Sequence, residues 1–135
     1  MKGYVDDIEK ATKANDNFRR VLYTAHGMQL VLMALPPGCD IGEEVHPEND
    51  QFFRVDQGEG EVLIDGKTTP ISDGFAVVVP RGARHNIINK GKGPLRLYTL
   101  YSPPHHKDGV VHKTKEDAEA DEEAGTDEWE GETTE

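Results

Sequence analysis

Between Phe18 and Tyr101 the chain is cut by Gly, Pro and Asp into short runs rich in Val, Ile, Leu, Phe and Tyr, and this punctuation limits the fold more than any other feature. Runs so short and so regularly spaced do not make helices; they make the strands of a sandwich or barrel. The spacing predicts strands near 18–25, 28–35, 43–46, 51–57, 60–64, 75–79, 85–89 and 95–101. Pro36-Pro37-Gly38, Asp65-Gly66 and Ser72-Asp73-Gly74 supply turns. Asp65-Gly66 suits a tight hairpin, because positive φ costs this pair little. A short helix is predicted over Asp7–Ala14, and a second over 114–124, opened by Thr114 with Asp117 three residues on.

Charge divides the chain. Of the 26 acids, 11 lie in Glu116–Glu135, whereas all 15 Lys and Arg lie at or before Lys115, so the formal charge of −11 belongs to the tail and the body is about neutral. A neutral body without a basic stripe lacks the footprint of phosphate-backbone binding, which excludes nucleic acid as a partner. Beyond Gly125 only Trp129 offers a large apolar surface, so the acidic tail is predicted to be disordered. The 135 residues suit one domain, read as an N-terminal arm (1–17), a barrel (18–104) and a C-terminal extension (105–135). The apolar runs Leu30–Leu35 and Ala76–Val79 fall far short of the ~20 residues that cross a bilayer, so no membrane partner is expected. Cys39 is alone, and Met1–Lys10 carries acids where a signal peptide needs an apolar core, which makes a cytoplasmic location the expectation.

Two stretches carry the chemistry. In Gly74–Asn89, Gly74, Pro80, Gly82, His85 and Asn89 follow one another with gaps of five, one, two and three residues, and His85, Ile87 and Asn89 share one strand face. In Gly38–Gly58, Gly38, Glu44, His46, Gln51 and Gly58 follow with gaps of five, one, four and six. Glu44 and His46, two apart on a strand, point the same way. Asp50 competes with Gln51 as a ligand. Strand parity favours Gln51, which shares a face with Phe53 and Val55, as does the six-residue gap to Gly58.

These stretches resemble the two motifs of the cupin superfamily, and the second is complete. The resemblance implies an all-β fold, a single antiparallel jelly-roll barrel holding one divalent metal ion, with Glu44, His46, Gln51 and His85 as ligands. In the first motif Glu44 stands where the family usually has His, and Gln51 where it has Glu. The exchange keeps the ligand set at net −1, and its mixture of nitrogen and oxygen suits Zn, Mn or Fe.

Three functions fit such a site. One is a sugar or sugar-phosphate isomerase, because type I mannose-6-phosphate isomerases, themselves cupins, hold zinc with a similar Gln, Glu and two His. Another is a non-haem Fe(II) or Mn dioxygenase, from the His46, His85 and Glu44 trio. The third is a binding module for a small molecule, without turnover. A small-molecule ligand and a homodimer are the expected partners, with the strand near Phe18–Thr24 as an exposed pairing edge. His105 and His106 read as surface residues, His26 and His112 as residues near turns with no role in the chemistry, and Cys39 as structural.

Overall fold

The computed structural model describes residues 1–135. Its elements are α1 (Ile8–Ala14), β1 (Arg19–Thr24), β2 (Gln29–Leu35), β3 (Glu44–Val45), β4 (Asp50–Gln57), β5 (Glu59–Ile64), β6 (Lys67–Ser72), β7 (Ala76–Val79), β8 (Arg84–Asn89), β9 (Leu95–Ser102), β10 (Val111–His112) and α2 (Lys115–Glu123). The strands build a six-stranded sheet in the order β10-β1-β2-β9-β4-β7 and a four-stranded sheet in the order β3-β8-β5-β6. Every pairing is antiparallel. This is the expected all-β jelly roll with a short helix towards each end, and no helix is long and apolar enough to cross a membrane.

Alternation decides what lies between the sheets. Along β4, Gln51, Phe53 and Val55 are buried while Asp50 and Arg54 are exposed. Along β9, Leu95, Leu97, Thr99 and Tyr101 are buried. The apolar ones meet Val62 of β5 and Ile87 of β8 in one core, where each large apolar side chain contributes ~1.5–3 kcal/mol. Asp65 (φ 46°) and Gly66 (φ 83°) make the predicted hairpin, setting Ile64 opposite Lys67. The helices begin where their caps are: Asp7 accepts from Lys10 N at 3.2 Å, and Thr114 Oγ1 accepts from Asp117 N at 3.1 Å.

Gly60 marks the tightest approach of β5 to β8. A Cβ there would stand 2.2 Å from the Ile88 carbonyl oxygen, in a ladder that pairs Gly60 with Asn89. Backbone is the obstacle, so nothing can swing aside. Gly60→Ala is therefore expected to cost roughly 2–3 kcal/mol, read as a lower urea midpoint at unchanged slope. An unchanged midpoint would mean that the two strands separate freely.

Three features differ from expectation. Strand β6 is absent from the sequence reading because Lys67–Ser72 has no apolar alternation and contains Pro70; at the sheet edge the missing N–H of Pro70 costs little. Strand β1 is not an exposed edge, since β10 pairs with it through Arg19 opposite His112 and Arg20 opposite Val111. The acidic tail is not disordered here. Thr134 N donates to Thr24 O at 2.9 Å, Trp129 N to His105 O at 3.2 Å, and the Glu135 carboxylate accepts from Lys2 N at 2.7 Å. Asp127 is buried, with its carboxylate 2.8 Å from His106 Nδ1. Backbone hydrogen bonds and one buried carboxylate fix this segment, and a count of apolar residues does not register either of them.

Candidate metal centre

The pairing of β3 with β8 sets Glu44 directly opposite His85. His46 follows one turn of the pleat beyond Glu44, and its carbonyl accepts from Gly82 N at 2.9 Å, tying the end of β3 to the turn that leads into β8. One carboxylate oxygen of Glu44 and one ring nitrogen each of His46 and His85 therefore lie within 4.8 Å of one another. His46 Nε2 stands 2.8 Å from Glu44 Oε2, and the His46 and His85 ring centroids are 5.3 Å apart. Burial raises the Glu44 pKa, but the hydrogen bond and charge of His46 outweigh it and hold the carboxyl below its ordinary range. Burial pushes the His85 pKa down, which favours the neutral ring.

Whether these residues suit a cation is decided by their unused atoms. His85 Nδ1 lies 3.1 Å from the Ala83 carbonyl oxygen, a contact that requires the proton on Nδ1 and leaves the lone pair on Nε2. That Nε2 is buried without a partner. Gln51, on the facing sheet, is in the same condition: its Nε2 donates to Thr99 Oγ1 at 3.0 Å, and its buried Oε1 has no partner. Each such atom costs roughly 1–3 kcal/mol unless something accepts it. Two imidazoles and a carboxylate within 4.8 Å of one another form a donor set that suits a divalent ion, with Ala83 fixing the orientation of the His85 ring as Thr99 fixes that of the Gln51 amide. Asp50, the competitor of Gln51, is exposed and accepts from Arg81 N at 2.9 Å.

Of the remaining histidines only His26 is exposed. His105 and His106 do point in different directions, but His106 is buried and His105 is half-buried on the cavity wall. The His105 ring packs 4.4 Å from that of His46, and burial lowers its pKa to about 4. His106 bridges the Asp127 carboxylate and, at 3.1 Å, the Tyr101 hydroxyl. Gln29 Oε1 holds both, accepting from His105 N at 3.2 Å and His106 N at 2.9 Å. His112 is also buried, with Nε2 2.7 Å from Asp121. The sequence offers no sign of these positions, because the C-terminal segment and β10 that cover them come from outside the barrel strands. Cys39 packs against the core, and burial raises its thiol pKa, in keeping with a structural role.

A cavity of about 310 Å³ reaches the Glu44–His46 pair, with His105 beside it and Arg19, Glu122 and Glu128 on its walls. A second group, His112, Asp121 and Asp127, also brings its ligand atoms within 4.8 Å. It closes without a cation: Asp121 accepts from His112 and Thr126, Asp127 binds His106 and the Lys107 N–H, and His112 Nδ1 meets the Arg19 guanidinium.

Two sheets in jelly-roll order, with Glu44, His46 and His85 converging where β3 meets β8, define a cupin, and the cupin domain model matches residues 31–101. The chain belongs to the cupin family. It is 47% identical over 126 residues to the uncharacterized protein YrkC of Bacillus subtilis, covering 88% of this chain and 67% of YrkC. It is 31% identical over 114 residues to the polyketide synthase CurC of Streptomyces cyaneus, covering 80% of this chain and 73% of CurC. The crystal structure of BH2720 from Bacillus halodurans is 42% identical and superposes with a TM-score of 0.87, over 88% of this chain and 95% of that one.

Proposed function

We propose that this cupin holds one divalent cation on Glu44, His46, Gln51 and His85, and that it moves a proton on a small carbonyl compound bound at that cation, an isomerase-like reaction. The observation that carries the reading is the pair of buried, unpartnered ligand atoms, His85 Nε2 and Gln51 Oε1. Bound there, the cation supplies a Lewis acid that polarises a carbonyl and acidifies the neighbouring C–H. His105 is the candidate base. It lies outside the ligand set, its neutral ring sits 4.4 Å from that of His46, and its backbone is held by Gln29.

Charge on the cavity wall bears on the substrate. Glu43, Glu122, Asp127 and Glu128 line it against the single cation Arg19, a setting that repels a phosphate dianion. The reading therefore keeps the proton transfer of the mannose-6-phosphate isomerases and not their phosphorylated sugar. Similarity to CurC, named as a polyketide synthase, agrees with a carbonyl-bearing ligand. One observation favours a second reading: Glu44, His46 and His85 are the two-histidine, one-carboxylate donor set of iron oxygenases.

The two readings separate on hydroxyacetone, a neutral hydroxyketone. Zinc-loaded protein in D2O is expected to exchange its C–H protons faster than buffer does, followed by proton NMR. His105→Ala should lose that exchange at unchanged zinc content. Absence of exchange, together with oxygen uptake by iron-loaded protein, would replace the isomerase-like reading with the oxygenase.

A further inference from the structure

Arg19 stands on the inner face of β1 beside the core residue Val21, and is only 6% exposed. A guanidinium at that depth is ordinarily paired with a carboxylate. Arg19 forms no salt bridge. Its Nη1 meets His112 Nδ1 at the long distance of 3.5 Å, Cζ lies 5.3 Å from the Phe18 ring centroid, and the buried Nε has no partner. Nε and Nη2 make up one edge of the planar guanidinium, the edge that takes a carboxylate with two parallel hydrogen bonds. No hydrogen bond is made on that edge, whose Nε is closed off from solvent, and Arg19 lines the same cavity as Glu44, His46 and His105.

The nearby acids are already committed. Glu44 binds His46, Asp127 binds His106 and the Lys107 N–H, and Asp121 binds His112 and Thr126. Glu122 and Glu128 remain on the cavity wall without a hydrogen bond to Arg19.

We propose that Arg19 is the carboxylate anchor of the substrate, which makes the ligand a small monocarboxylic acid with a carbonyl or hydroxyl on the adjacent carbon. The carboxylate pairs with the Arg19 guanidinium where it faces the cavity, and the adjacent oxygen goes to the cation; this second contact rests on the metal reading above, whereas the first does not. A cavity of about 310 Å³ admits only a small molecule. The wall acids Glu43, Glu122 and Glu128 oppose a second negative charge, so a monoanion is preferred to a phosphate.

The test is calorimetric titration of zinc-loaded protein with pyruvate, hydroxyacetone and inorganic phosphate, with zinc content measured for every sample. Pyruvate should bind more tightly than either of the others. Arg19→Gln should weaken pyruvate about ten- to hundredfold, as expected for loss of a charge-assisted pair, and leave hydroxyacetone within about threefold. Arg19→Lys, which keeps the charge in a similar volume, should still lose about fivefold or more on pyruvate because an ammonium has no fork. Equal losses for pyruvate and hydroxyacetone, or pyruvate affinity unchanged in a folded variant with wild-type zinc, would overturn the anchor. A wild-type protein that holds no zinc would sink the metal reading alone. The same selective loss of pyruvate on Arg19→Gln is then expected in metal-free protein, and its absence there overturns the anchor.

Discussion

Replacing Glu44 with Gln is expected to weaken divalent-metal binding by at least about a hundredfold, since even the groups that merely orient a ligand are commonly worth ~10–100-fold. Glu44 is the sole anion in the proposed set, so Glu44→Gln would leave a dication among neutral donors in a buried site, where charge is poorly screened. His85→Ala should be comparably severe, because it removes the donor that β8 places opposite Glu44. Gln51→Ala should cost less than about tenfold, because water can replace a neutral oxygen. Asp50→Asn should change nothing, its carboxylate being engaged with Arg81 at the surface. Competition against one chelator ranks the four variants, with circular dichroism confirming that each is folded. An Asp50→Asn loss larger than that of Gln51→Ala would show that the register of β4 places the wrong side chain inward.

Removing residues 125–135 is expected to lower the melting temperature by roughly 5–10 °C, the equivalent of about 2–3 kcal/mol in a chain of this size. The deletion strips His106 Nδ1 of the Asp127 carboxylate and the Lys107 N–H of its acceptor. It also leaves the carbonyls of Thr24 and His105 without the N–H groups of Thr134 and Trp129. Asp127→Ala alone should reproduce a substantial part of the loss, because it leaves a buried imidazole without its partner. In the full chain, half-buried Trp129, whose Nε1 donates to Glu132 O at 2.7 Å, should fluoresce to the blue of free tryptophan. An unchanged melting temperature with fully solvated Trp129 emission would show that the tail does not dock.

What the sequence disclosed follows from which forces are local. The period of two along β4 was enough to turn Gln51 inward and Asp50 outward, and the spacing of Glu44 and His46 gave a shared face. Thr114 and Asp117 announced α2 because a cap is a contact between neighbours. The invisible parts are those that depend on distant chain. A charged residue such as Arg19 is by default assigned to the surface, and only the pairing of β10 with β1 and the fold of the C-terminal segment enclose it. His106 is buried by Asp127, 21 residues away, on a segment whose composition signals solvation. Pro70 concealed β6 for the opposite reason: a local penalty counted against a strand that needed no donor at the sheet edge.

In the proposed centre Glu44, His46, Gln51 and His85 together hold a single cation. Elemental analysis after gel filtration tests it most directly, on wild-type protein and Glu44→Gln loaded in turn with zinc, manganese and iron(II). About one ion per wild-type chain for at least one of these metals, and close to none in folded Glu44→Gln, is the result predicted. Wild-type protein that retains none of the three, or Glu44→Gln that retains as much as wild type, would contradict it.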